Sequence, residues 1–277
     1  MKKLLLSAVF ATSAFALAAC GTGGGNGEGE ETKTLKIGAS NVPHAEILEE
    51  AQPLLEEKGI ELDIVPFQDY ILPNKSLASK EIDANYFQHI PYLESQMAEN
   101  KDYDFVNAGG IHIEPIGVYS KKHKSLEDIP EGGTIIMSNS VADHGRMLSL
   151  LESEGLITIK EGVDKTTATI DDIDENNKNL KFKADVEASI LPQAYNNDEG
   201  DAVLINTNYA IGAGLNPQKD AIALEGSESP YVNIITVRKG DENKEEIKAL
   251  VEVLHSKEIQ SFIEEKYEGA VVPVDGE

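Results

Sequence analysis

The stretch Asp83–Leu93, DANYFQHIPYL, gathers Tyr86, Phe87, His89 and Tyr92 within eleven positions. Ring surface beside hydrogen-bonding tips suits a pocket that is apolar in its body and polar at one end. The same rings could equally be packing residues at a strand end that runs into a helix. A second chemistry sits further along, in Ser138–Arg146, SNSVADHGR. Arg146 is one of two arginines in the chain, the other being Arg238. Its planar, forked guanidinium can hold a carboxylate with two parallel bonds, which a lysine cannot do. It could instead be a helix arginine paired with a nearby acid. Asp143 lies three residues earlier, so on a first helical turn it can face the same way. It would then pair with Arg146 or with a ligand ammonium. Asn206 closes the apolar run DAVLIN, and its amide offers the donor and acceptor that a zwitterionic amino acid requires.

Other chemistries find less support. The six histidines, His44, His89, His112, His123, His144 and His255, are scattered, with no HxH or HExxH spacing. No metal site and no cofactor are expected. There is no GxSxG elbow and no glycine-rich phosphate loop. Acid pairs such as Asp171-Asp172 lie in a polar stretch that reads as a solvated face. The chain is therefore expected not to be an enzyme. A surface hydrolase and a surface adhesin are the alternatives to a binding protein.

The elements that must position these residues alternate. Leu35–Ser40 and Ile60–Phe67 read as strands, with Ala45, Ile47, Leu48, Ala51, Leu54 and Leu55 at helical spacing between them. Asp83–Phe87 reads as a third strand leading into a helix with Ile90, Leu93 and Met97. This order predicts a parallel sheet covered by helices, with ligands at the carboxyl ends of its strands. Asn41–His44 and Tyr86–His89 fall at such ends. Phe105–Lys122 and Tyr231–Lys239 are long, strand-like runs that read as crossovers out to a second lobe and back. Between them lie the strands Thr134–Ser138, Phe182–Ser189 and Asp201–Asn206. Ile247, Leu250, Val251 and Leu254, then Ile259, Phe262 and Ile263, predict two closing helices packed on the first lobe. Two connections between two lobes make a hinge with a cleft. The expected boundaries are 35–117 with 233–277 for lobe I and 118–232 for lobe II.

The chain carries 277 residues, a net charge of −25 and no tryptophan. Such acidity excludes nucleic acid as a partner and disfavours electrostatic docking on anionic lipid. Residues 1–19 read as a secretion signal, with Lys2 and Lys3 before an apolar run. Leu17-Ala18-Ala19-Cys20 resembles a bacterial lipobox, which implies that Cys20, the sole cysteine, is lipidated and anchors the chain to the membrane. Residues 20–34, rich in Gly and Glu, then read as a flexible tether.

Several longer stretches carry a resemblance: DANYFQHIPYL (83–93), IHIEPIGVYSKK (111–122), NLKF (179–182), INTNYA (205–210), AGLNPQKDAI (213–222) and SPYVNIITVRK (229–239). Over nearly the whole mature chain it resembles the methionine-binding lipoprotein family, MetQ/NlpA. The resemblance implies an α/β, type II periplasmic-binding-protein fold with two lobes of mixed sheet flanked by helices. It implies a monomer that captures methionine outside the cytoplasm and delivers it to the permease and ATPase of an ABC importer. Tyr70, Tyr86, Phe87 and His89 would wall the thioether, Arg146 would clamp the carboxylate, and Asn206 would hold the amino-acid backbone. The chain departs from the family where many members read PND-x-x-N-x-x-R, since Asp143 replaces that second Asn. D-methionine, methionine sulfoxide and a methionine-containing dipeptide therefore stay open as ligands. Tyr92, inside the following helix, is expected to be a packing residue.

Overall fold

The computed structural model describes residues 32–226 and 229–275. The secretion signal, Cys20 and most of the tether lie outside the described residues. In chain order the elements are β1 (Lys33–Ser40), α1 (Glu46–Glu56), β2 (Ile60–Phe67), α2 (Leu72–Ala78), β3 (Ala84–His89), α3 (Ile90–Glu99) and β4 (Phe105–Ile113). After a break at Glu114-Pro115-Ile116 come β5 (Gly117–Tyr119), β6 (Thr134–Ser138), α4 (Val141–Ser153), β7 (Ile157–Ile159), β8 (Ile173–Asn176) and β9 (Lys181–Val186). Then follow α5 (Leu191–Asn196), β10 (Ala202–Ile205), α6 (Thr207–Gly212), α7 (Pro217–Asp220) and β11 (Ala223–Leu224). The chain finishes with β12 (Val232–Arg238), α8 (Glu245–Leu254), α9 (Lys257–Tyr267) and β13 (Val272–Pro273).

Two larger sheets result. The first has the order β13-β4-β12-β3-β1-β2, and the second β11-β5-β10-β6-β9. Strands β1, β2 and β3 pair in parallel, as do β6, β9 and β10. Both sheets are nevertheless mixed, because the crossover segments join them antiparallel. Strand β12 returns between β3 and β4 and opposes both, while β5 opposes β10. A strand that re-enters a sheet from the far lobe must run against the strands that left it. Strand pairing puts Gly117 in the second sheet and Val232 in the first, one residue beyond each expected lobe boundary. The tether also ends earlier than expected, because Lys33 and Thr34 already pair with Ile60 and Glu61.

Helices cover both faces of each sheet, so central strands are buried throughout, as β3 and β10 are. On one face of the first sheet, Ile37, Tyr86 and Ile235 meet Leu48 of α1, Leu250 of α8 and Ile263 of α9. On its other face, Leu77 of α2 and Leu93 of α3 pack with Phe105 and Ile234. In the second sheet, Ile135 and Leu204 pack on Met147 and Leu151 of α4. Each such aliphatic contributes roughly 1.5–3 kcal/mol on burial. The helices follow their stripes: Ile47, Leu48, Ala51 and Leu55 are buried on α1, while Val251 and Phe262 are only half-buried. Among the described residues no helix is long and apolar enough to cross a membrane.

Candidate functional site

Strand β3 delivers its side chains through an irregularity. Gln88 pairs with Ile234 and Tyr86 with Ile235, so Phe87 is an extra residue on β3, a β-bulge. The bulge brings Gln88 to the same side as Asn85. There Asn74, Asn85, Gln88 and Thr236 form a buried amide cluster, with Asn74 donating to Gln88 at 2.9 Å and Asn85 donating to Asn74 at 3.0 Å. Gln88 in turn donates to Asn74, Asn85 and Thr236 at 2.9–3.1 Å. Satisfied buried networks of this kind fix one geometry. Phe87 and His89 line the cleft as expected. Tyr86 does not. It is fully buried in the lobe I core, where its hydroxyl bonds His112 Nδ1 and its ring lies 4.6 Å, edge-on, from that of His44. Strand alternation, which the sequence reading overlooked, sends it to the opposite face from Asn85.

His89 ends β3 and caps α3: its Nδ1 accepts the Tyr92 N–H at 3.2 Å. The ring proton therefore sits on Nε2, which faces Asp143 Oδ1 at 3.0 Å. Tyr92 lines the cleft rather than serving as packing alone. Helical side chains lean back toward the N-terminus, and its hydroxyl donates to Tyr70 O at 2.9 Å. Tyr70 is set by the Asp69 turn, whose carboxylate accepts the N–H groups of Ile71 and Leu72 at 2.7 and 2.8 Å. Its hydroxyl crosses to the second lobe and donates to Asn208 Oδ1 at 2.7 Å.

The opposite wall comes from α4, α6 and the crossings. Gly145 lets the start of α4 press against the Lys165–Thr166 backbone, where any Cβ would clash. This seats Asp143 and Arg146, both buried. Arg146 finds its acid partner, but it is Glu225 rather than Asp143. Its Nε donates to Glu225 Oε2 at 3.0 Å, and Nη2 reaches both Glu225 Oε2 and, at 2.6 Å, Glu114 O. The Tyr231 ring lies 4.7 Å from the guanidinium carbon. Nη1 makes no hydrogen bond among the described residues and stands 3.9 Å from Asp143 Oδ1. Burial pulls the guanidinium down, but Glu225 and Asp143 outweigh it and raise it above the usual range. Burial likewise pushes the Asp143 carboxyl up, yet His89, Arg146 and Asn206 hold it down at about 2. Asn206 Nδ2 donates to Asp143 Oδ2 at 3.3 Å, and its Oδ1 is buried with no partner among the described residues.

Residues absent from the sequence expectation complete the lining: Gln88, Glu114, Thr207, Asn208 and Asn233. Glu114, at the first crossing, ties both lobes. Its Oε2 accepts the Asn208 N–H at 3.0 Å, while Oε1 accepts from His112 at 2.8 Å and lies 3.2 Å from His44 Nε2. Burial pushes Glu114 up, and it pushes His44 down to about 4 and His112 to about 3. These are therefore hydrogen bonds between neutral rings and an acid rather than ion pairs. Ligating atoms of His44, His112 and Glu114 lie within 4.8 Å of one another, and the same hydrogen bonds account for that closeness. Glu114 and Asn233 each interrupt an apolar run, IHIEPIG and YVNIITV. A polar residue inside an otherwise apolar buried run was the signal available for both.

Together the side chains line a narrow cleft between the two lobes, part of it open to solvent. Rings come from one lobe; a guanidinium, a carboxylate and amides come from the other. The arrangement is chemically suited to a small amphiphile with charged groups at one end.

Comparison with known proteins accords with this geometry. The methionine-binding lipoprotein MetQ of Bacillus subtilis is 56% identical over 275 residues, covering 99% of each chain. A solved structure of a putative methionine-binding lipoprotein from Bacillus subtilis is 57% identical with a TM-score of 0.86, covering 88% of this chain and 98% of that one. A nutrient-binding protein from Burkholderia cenocepacia, solved bound to methionine, is 41% identical with a TM-score of 0.81, covering 86% of this chain and 99% of that one. Residues 35–275 match the NlpA lipoprotein family, and the chain belongs to that family.

Proposed function

We propose that the protein captures methionine in this cleft and hands it to an ABC importer. The observation that carries this reading is the division of the cleft wall. Tyr70, Phe87, His89 and Tyr92 supply an aromatic body, and Asp143, Arg146 and Asn206 supply a zwitterion-binding end. A thioether against aromatic rings gains roughly 0.3–1.5 kcal/mol per contact. D-methionine and methionine sulfoxide place the same groups on the same scaffold and remain the second reading. The methionine bound in the Burkholderia cenocepacia relative supports the first.

The mechanism is closure. The two sheets act as lobes moving about the crossings at 114–116 and 229–231. Ligand contacts both walls only when they meet, so binding shifts the population toward the closed form. The cleft makes and breaks no bond in the ligand. Cys20 carries the lipid that keeps the folded body on the outer face of the cell membrane. The closed body then docks, as a monomer, on the importer's permease, which its ATPase drives.

Mass spectrometry of the small molecules released on denaturing protein purified without added ligand tests the reading. Stoichiometric methionine is expected. A different amino acid, or a ligand without an amino-acid head group, would overturn it.

A further inference from the structure

Building on the proposed methionine site, we propose that the cleft selects its ligand chiefly through the ammonium group, and that Glu225 sets this preference by engaging the Arg146 fork. The forked edge that would clamp a ligand carboxylate is already taken. Nε and Nη2 of Arg146 both point to Glu225 Oε2, and Nη2 also donates to Glu114 O. Glu225 is itself fixed, with Oε2 accepting the Ile116 N–H at 3.0 Å and Oε1 accepting Ser229 Oγ at 2.9 Å. Only Nη1 is left to meet a ligand carboxylate, and the charge behind it is matched by an internal acid.

Acceptors dominate on the other side. Asp143 is buried and faces His89 and Asn206, both donors to it. A carboxylate cannot donate, so Asn206 must present Nδ2 to Asp143, which leaves Oδ1 aimed elsewhere. That oxygen is buried and finds no donor among the described residues. Glu114 adds a second acid to the lining. Two carboxylates, Asp143 and Glu225, face the one guanidinium of Arg146, so acidic groups outnumber basic ones there. A cationic head group meets a complementary field there, and an anionic one does not.

Two analogues smaller than methionine separate the contributions without steric conflict: the thioether amine that lacks the carboxylate, and the thioether acid that lacks the amino group. Calorimetric titrations of each, beside L-methionine, form the test. The amine should bind within about ten-fold of methionine, the scale of one partly compensated hydrogen bond. The acid should bind at least about thirty-fold more weakly, the scale of an unpaired buried charge. Glu225→Gln retains an acceptor for Arg146 and removes the competing charge. It should narrow the acid-to-amine ratio by about ten-fold. A purely structural role for Glu225 would weaken both analogues alike and leave that ratio unmoved, which overturns its assignment. If methionine binds and the acid matches or exceeds the amine, the inference falls while the functional reading stands. If methionine itself does not bind, the functional reading falls and takes this inference with it.

Discussion

Asp143→Asn keeps the side chain's volume and removes its charge. The carboxylate accepts from His89 Nε2 at 3.0 Å and Asn206 Nδ2 at 3.3 Å, and it lies 3.9 Å from Arg146 Nη1. All three neighbours present N–H groups. An asparagine offers one acceptor and one donor, so either amide orientation sets an N–H against another N–H. Burial pushes the carboxyl up, but these neighbours hold it at about 2, against an ordinary 3.8. At about 1.4 kcal/mol per unit, the native state favours the carboxylate by roughly 2 kcal/mol. Hydrogen bonds to buried charges fall in the same range, about 1.5–3 kcal/mol. The variant should therefore lose about 2 kcal/mol of unfolding free energy at neutral pH. The pH dependence has a definite sign. A depressed folded-state value means the stabilisation is complete above 3.8 and is lost as pH falls through about 2. Urea midpoints of parent and variant, taken from neutral pH downward, should converge across that window. A gap that stays constant with pH, or a variant as stable as the parent at neutral pH, would refute the reasoning.

Arg146→Ala should cost at least about 2 kcal/mol of ligand affinity by calorimetry, because it removes the guanidinium and strands the buried side of Glu225; unchanged affinity would remove Arg146 from the site. Asn206→Ala should weaken binding with little change in the thermal midpoint of ligand-free protein, since α6 takes no side-chain cap from it; equal loss of both would make its role structural. Tyr86→Phe should lower stability by about 1 kcal/mol through the lost bond to His112, with affinity unchanged; an affinity loss without a stability loss would return Tyr86 to the cleft. His44 and His112, held down by burial, give stability that is present above 6.5 and lost as pH falls toward about 4 and about 3. Glu114, pushed up, opposes that trend by taking a proton, so Glu114→Gln should steepen the fall of the urea midpoint with acid, and a shallower fall would contradict the network.

Alternating strand and helix signals were enough to read two α/β lobes and two crossings, because buried strands and amphipathic helices write their periods directly into the chain. Strand direction was less legible. The parallel reading missed β5 and β12, whose orientation follows from the route of the crossings and leaves no periodic trace. At the site, Phe87, His89, Asp143, Arg146 and Asn206 lie where their places at element ends suggested. Tyr86 went astray because alternation along β3 turns it to the face opposite Asn85, into the lobe I core, whereas the extra residue at Phe87, which redirects Gln88, shows only in the pairing with β12. Arg146 was read either as a carboxylate clamp or as a helix arginine paired with a nearby acid; the acid it meets, Glu225, lies 79 positions away, so the sequence could not name that partner. Glu114 and Asn233 were visible as polar breaks in apolar runs, but their convergence on one space depends on both crossings at once.

The central claim is that this cleft binds methionine. Calorimetric titration of L-methionine into protein stripped of ligand by unfolding and refolding tests it most directly. The account predicts saturable binding of one ligand per chain, weakened in Arg146→Ala. A refolded, monomeric protein that gives no heat with methionine would contradict it.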